Sequence, residues 1–218
     1  MCPSILNADR NNLQSEIGRV ARSSDFLHVD VMDNIFVPNL AFSFEESTEI
    51  ISKSPLPVDA HLMINNPDEM APRYAKAGAA SVTFHFEASK EPLKTLHAIK
   101  AMGARAAVAV KPQTPFQEIE NLLSDIDMLL IMTVEPGFGG QSFMSEMMPK
   151  VTQARDAIEK VDRDIWLQVD GGISVETIAI AARAGADAFV AGSAVYRAQS
   201  PSEMLDTLRK LAVGASSL

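Results

Sequence analysis

Short, nearly all-apolar runs alternate with longer amphipathic ones from one end of the chain to the other. The apolar runs fall at 3–6, 26–31, 58–63, 81–86, 105–110, 128–132, 165–169 and 188–191. They have strand length and little alternation, which predicts strands buried on both faces of a parallel sheet. Between them the apolar residues recur at helical spacing, near 10–22, 44–53, 67–77, 91–102, 115–124, 143–160, 174–184 and 201–212. Asn66-Pro67, Thr114-Pro115 and Ser200-Pro201 read as helix entries, with a capping residue before proline. Gly78, Gly103 and Gly185 each follow a helical pattern, where a left-handed C-cap is common. Eight β-then-α units in 218 residues, with no linker or low-complexity stretch, predict an α/β fold: a single (β/α)8 barrel domain over 1–218. An open doubly wound sheet is the competing arrangement. Polar residues cluster at the C-terminal ends of the second, third and seventh predicted strands. Barrel closure gathers those ends around one mouth, whereas an open sheet scatters them.

The polar interruptions carry the chemistry. In His28-Val29-Asp30-Val31-Met32-Asp33 the imidazole and the first carboxylate are two apart, so a strand points both to one side. That face should be apolar, because a buried charge is costly unless paired or bound to a metal. His61 stands near the end of the third strand and Asp170 at the end of the seventh. Any one of the four alone reads as a satisfied core histidine or a helix-capping aspartate. Together, at strand ends of one barrel, His28, Asp30, His61 and Asp170 form an N2O2 set suited to Zn, Fe(II), Mn or Co.

Glycines mark the late loops: Gly137-Phe138-Gly139-Gly140 after the sixth strand, Gly171-Gly172 after the seventh, and Gly192-Ser193 after the eighth. Barrels often bind phosphate with the loops after strands seven and eight, and three such loops in adjacent units predict a phosphate site. Met32, Met63 and Met132 sit at or just past strand ends, either as core filler or as a polarizable wall over the reacting carbons. Ser4 either bonds a substrate oxygen or caps the next helix. His85 and Glu87 either join the site or support it from behind, Lys111 reads as structural or rim rather than as an imine-forming amine, His97 as solvated, and Asp33, pointing the other way from Met32, as supporting its loop.

Composition narrows the partners. A formal net charge of −9 without a basic stripe argues against nucleic acid and anionic membranes. It leaves room for an anionic small molecule held by backbone N–H groups. No apolar run approaches membrane-spanning length, no signal peptide is visible, and the one cysteine, Cys2, fits a reducing cytoplasm.

With these residues in view, the chain resembles the ribulose-phosphate 3-epimerase family over essentially its whole length. The likeness rests on Pro-Ser-Ile-Leu (3–6), His-Val-Asp-Val-Met-Asp (28–33), Phe-Val-Pro-Asn (36–39), His-Leu-Met (61–63), Val-Glu-Pro-Gly-Phe-Gly-Gly-Gln-Ser-Phe (134–143), Val-Asp-Gly-Gly-Ile (169–173) and Ala-Gly-Ser-Ala-Val (191–195). The resemblance implies a ribulose-phosphate-binding barrel with one divalent metal held by His28, Asp30, His61 and Asp170, and no organic cofactor. It implies that Asp30 and Asp170 are the acid/base pair. Ser4, His61, Gly137, Phe138, Gly139, Gly140, Gly171, Gly172, Gly192 and Ser193 would bind substrate, mostly its phosphate. Met32, Met63 and Met132 would lie near the intermediate. Two positions depart from the pattern: Asn34 where Gly is usual, and Ser43 where Gly is common, which predicts a differently shaped loop there.

The implied reaction interconverts D-ribulose 5-phosphate and D-xylulose 5-phosphate. One carboxylate removes the C3 proton, the other delivers one to the opposite face, and the metal stabilises a cis-enediolate. A 3-epimerase of hexulose 6-phosphates, such as allulose 6-phosphate, would use the same constellation. A non-catalytic phosphosugar sensor would keep the barrel without needing the complete set. A related decarboxylase or synthase fits less well, since no Asp-x-Lys-x-x-Asp occurs in the chain. The partner is a small ketose phosphate, and barrels of this kind often associate as homo-oligomers.

Overall fold

In the computed structural model, which describes residues 1–216, nine strands form one sheet. They are β1 (Cys2–Pro3), β2 (Leu27–Asp33), β3 (Leu40–Ala41), β4 (Val58–Met63), β5 (Ser81–His85), β6 (Arg105–Val110), β7 (Met128–Met132), β8 (Trp166–Asp170) and β9 (Ala188–Ala191). The order is β1-β9-β8-β7-β6-β5-β4-β2-β3, with every pairing parallel except β2 with β3. A parallel bridge between Ser4 and His28 joins β1 to β2 and closes the ring. The result is the eight-stranded parallel barrel that the alternating pattern predicts, with β3 added as a short antiparallel flap on β2.

The eight helices are α1 (Leu13–Val20), α2 (Phe44–Lys53), α3 (Pro67–Lys76), α4 (Pro92–Ala101), α5 (Met148–Ile158), α6 (Ile178–Arg183), α7 (Ser193–Tyr196) and α8 (Pro201–Ser216). One predicted helix is absent. At 115–124 the chain makes two 3-10 turns, Phe116–Glu118 and Glu120–Leu122. The buried residues there, Phe116, Ile119, Leu122 and Leu123, keep a spacing compatible with an α-helix, but the backbone closes i to i−3 bonds, Ile119 N to Phe116 O and Leu122 N to Ile119 O, the pattern of 3-10 turns. The first predicted strand is also shorter, since Ile5–Asn7 turns away as a 3-10 segment. Both departures from family pattern fit locally. Asn34 adopts φ 57°, a left-handed conformation that asparagine tolerates. Ser43 caps α2 in a reciprocal capping box with Glu46.

The apolar core lies between barrel and helices, where Val29, Leu62, Phe84, Val108 and Val169 are buried in one large cluster. Inside the barrel a second, small apolar cluster holds only Ala109, Leu130, Met132 and Val134. Many of the other inward positions are polar and buried, among them His28, Asp30, Asp59, His61, Thr83, His85 and Gln168. Barrel interiors are ordinarily filled with branched apolar side chains, so this half-interior of hydrogen-bonding groups is built for something other than packing.

Candidate active site and metal centre

Strand register assembles the site. His28 pairs with Asp59, Asp30 with His61 and Met32 with Met63 across β2 and β4. Met132 of β7 pairs with Asp170 of β8. Across neighbouring strands His28 therefore stands level with Asp59, Asp30 with His61, and Asp170 with Met132, so imidazoles, carboxylates and thioethers converge inside the barrel.

One ligand atom from each of His28, Asp30, His61 and Asp170 lies within 4.8 Å of every other. His28 Nε2 is 3.4 Å from Asp30 Oδ1 and 3.8 Å from Asp170 Oδ2. His61 Nδ1 is 3.2 Å from Asp30 Oδ1 and 3.6 Å from Asp170 Oδ2. The two imidazole nitrogens are 3.3 Å apart. Donors about 2.1 Å from a shared tetrahedral centre would be about 3.4 Å from one another, so the four residues fit a divalent metal in both donor chemistry and spacing.

Hydrogen bonds behind the donors fix which nitrogen faces inward. His28 Nδ1 donates to Asp59 Oδ2 at 2.9 Å, turning Nε2 toward the centre. Asp59 is itself held by Thr83 Oγ1 at 3.1 Å and Gln168 Nε2 at 3.4 Å. His61 Nε2 donates to His85 Nε2 at 3.0 Å, and His85 Nδ1 donates to Glu87 Oε2 at 3.3 Å. Glu87 in turn accepts from the Lys111 backbone N–H at 2.7 Å and from the Thr114 hydroxyl. Burial lowers His85 to about 4, keeping it neutral and able to accept. Burial would raise Glu87, but its hydrogen bonds from His85 and Thr114 prevail and hold it at about 2. The relay thus presents His61 Nδ1 to the centre. Supporting partners of this kind typically contribute 10- to 100-fold to metal affinity. Replacing His85 by Ala is expected to weaken metal binding by about that factor, read by competition with a chromogenic chelator. An unchanged affinity would mean His61 is held by packing alone.

The two aspartates differ electrostatically. Burial would raise Asp30, but His28 and His61 override it and hold the carboxyl well below its ordinary range. Asp30 Oδ2 also accepts from Ser4 Oγ at 2.5 Å. Asp170 is raised, by burial and then by the charge of Asp30. Burial alone would lower His28, yet Asp30 and Asp59 lift it well above its ordinary value. The donor pocket therefore draws positive charge to its centre.

Above the donors opens a cavity lined by Ser4, Asp30, Asp170, the three methionines, and every glycine and serine expected from the late loops, together with Phe138. Met32, Met63 and Met132 are buried, so their thioethers wall the space directly over the aspartates. His28 and His61 lie beneath, fully buried, and do not line the open cavity. Gly172 has φ +66°, and a Cβ there would fall 2.5 Å from the backbone nitrogen of Phe143; only glycine brings these loops together. Asn39 Nδ2 ties the flap beyond β2 to the carbonyl of Gly137 at 2.9 Å.

Other residues fall where the sequence suggests. Asp33 turns away from the cavity and accepts backbone N–H bonds from Ile35, Phe36 and Asn65. Lys111 Nζ sits 3.8 Å over the Phe36 ring at the rim. His97 is exposed and pairs with Asp125 at 2.9 Å. Three contributors have no part in the sequence-based site: Asp59, Gln168 and Asn7. A signal for Asp59 was available, since Asp59-Ala60-His61 repeats in reverse the same-face spacing of His28-Val29-Asp30.

Among the described residues, no helix is long and apolar enough to cross a membrane. The family model described as the ribulose-phosphate 3 epimerase family matches residues 1–196. A Mycobacterium leprae ribulose-phosphate 3-epimerase is 48% identical over 99% of this chain and 96% of its own length. The cytoplasmic isoform of ribulose-phosphate 3-epimerase from Oryza sativa subsp. japonica is 41% identical, covering 99% of this chain and 95% of the relative. Among solved structures, 3-hexulose-6-phosphate synthase from Salmonella typhimurium superposes with a TM-score of 0.72 at 19% identity, covering 98% of each chain, a likeness of fold alone. Extent and identity together decide the matter: the chain belongs to the ribulose-phosphate 3-epimerase family.

Proposed function

We propose that this chain interconverts D-ribulose 5-phosphate and D-xylulose 5-phosphate by inverting C3, with Asp30 and Asp170 as the two proton-transfer groups. The observation that carries the reading is the placement of both carboxylates in one buried donor cluster on the floor of a glycine-lined cavity. The C3–H is acidic only because it is alpha to a carbonyl, and inversion needs a proton group on each face. Asp30 comes from β2 and Asp170 from β8, with β1 and β9 between them in the strand order. One takes the proton from C3 and the other returns a proton to the opposite face, the roles exchanging with direction. Ser4 orients Asp30 through its hydroxyl. The methionine wall keeps water from the planar intermediate without offering it a competing proton donor.

A divalent cation (Zn, Fe(II), Mn or Co), held by His28, Asp30, His61 and Asp170, supplies positive charge that stabilises the enediolate when bound. The backbone of the Gly137–Gly140 segment, Gly171, Gly172 and Gly192, with Ser193, receives the phosphate of the ketose. The reaction requires no organic cofactor, and we place it in the cytoplasm, where the rice relative is assigned by its name.

Epimerisation run in D2O tests the reading. Product isolated before equilibrium is expected to carry deuterium at C3, because the hydrogen delivered comes from the opposite carboxyl, which has already exchanged with solvent. A panel of pentulose 5-phosphates and hexulose 6-phosphates then ranks the substrates. Binding of these ketoses with neither epimer formation nor C3 labelling would make the barrel a sensor rather than an enzyme.

A further inference from the structure

Asn7 ends the 3-10 turn after β1 and lines the cavity. Its side chain lies against two phosphate loops at once. A Cβ on Gly139 would fall 2.6 Å from Asn7 Oδ1 and 2.8 Å from Nδ2, and one on Gly192 would fall 2.7 Å from Oδ1. A side chain at either position would displace the amide from where it stands, so Gly139 and Gly192 leave room for it.

The amide has no task inside the protein. Among the described residues, none hydrogen-bonds the Asn7 side chain. Among the described residues, no lysine or arginine lines the cavity, and the side-chain N–H donors on its wall are those of Asn7 and Gln141. Gln141 Nε2 is committed to the carbonyls of Glu135 at 2.6 Å and Phe138 at 2.8 Å. Asn7 therefore holds, among the described residues lining the cavity, a side-chain N–H donor free to meet an anion.

We propose that Asn7 is a substrate-binding residue whose amide N–H donates to the phosphate of the sugar phosphate, beside the backbone N–H groups of the glycine loops. The assignment rests on the phosphate site of the proposed function and deepens it. A carboxamide suits the position: it offers two donors to phosphate oxygens without adding a charge that would hold product.

The test uses metal-loaded protein and inorganic phosphate as the probe, measured as a competitive inhibitor against D-ribulose 5-phosphate. Asn7→Ala is expected to raise both KM and the phosphate inhibition constant about tenfold, the scale of a lost hydrogen bond to a charged group. Asn7→Asp should raise both further, because a carboxylate opposes the dianion. A merely structural role would lower the melting temperature without moving the phosphate constant. Asn7→Ser, which keeps a polar side chain on the turn, serves if Asn7→Ala does not fold. Unchanged phosphate inhibition in the folded variants would overturn the Asn7 assignment while leaving the phosphate site intact. If the parent protein is not inhibited competitively by phosphate, the phosphate reading itself fails, and the Asn7 assignment with it.

Discussion

Asparagine in place of Asp170 is expected to abolish epimerisation, by about 10⁴-fold or more, while the barrel stays folded. A positioned acid or base contributes about 10²–10⁴ on its own, and the same oxygen is one of four donors to the proposed metal. Asp30→Asn should lose as much activity for the same two reasons. The variants should differ in stability. Asp170 is raised by burial and by Asp30, so its ionised form is unfavourable in the metal-free protein at neutral pH, and metal-free Asp170→Asn should melt no lower than the parent. Asp30 is lowered because His28 and His61 outweigh its burial. Its replacement leaves those buried partners poorly matched and should cost about 1–3 kcal/mol. Linkage gives the sign: Asp30 stabilises the metal-free fold above its unfolded pKa, and that contribution fades as the pH falls through its lowered folded value. Isotope exchange separates a proton-transfer role from metal holding. With one base intact, each variant should still exchange C3–H with solvent in one of the two epimers when loaded with metal, without forming the other. Near-wild-type turnover in either variant would end the two-base assignment.

How much of this was legible in the sequence varies with the range of the interaction. His28 and Asp30 announced themselves because they stand on a strand face that burial should make apolar. Once closure is granted, His61 falls opposite Asp30 by register, and Asp170 ends its strand opposite Met132. The glycines were legible as loops, and their pairing with Val134 and Phe143 was not, since these close approaches link segments folded against each other. Elements of two to four residues, such as β3 and α7, are too short to show a period. The predicted helix at 115–124 failed because Phe116, Ile119, Leu122 and Leu123 keep helical spacing while the backbone there closes i to i−3 bonds, and a spacing this short does not separate the two. Asn7 was invisible for a different reason. Its role depends on Gly139 and Gly192, more than a hundred residues away, and on Gln141 being committed elsewhere.

Stripping the metal is expected to remove activity as completely as losing either aspartate, with recovery when a divalent ion is restored. The donor cluster also predicts how the loss depends on pH. In the metal-free protein His28 carries a raised pKa, because Asp30 and Asp59 outweigh its burial. A metal ligand must be the neutral imidazole, so binding displaces that proton. Metal affinity should therefore rise with pH up to the raised pKa of His28 and level off above it, and chelators should strip the protein faster in acid. Proton release on metal addition, followed with an indicator dye in weak buffer, measures the linkage directly. Asp59→Asn supplies the contrast. It removes a carboxylate that raises His28 without touching the four donors, so fewer protons should be released near neutrality. The same change weakens the bond that orients Nε2, so affinity above neutrality should fall. Those opposite consequences separate the electrostatic contribution of Asp59 from its orienting one. Full activity in protein verified to be metal-free would refute the metal role, and the histidines beneath the cavity would then be structural.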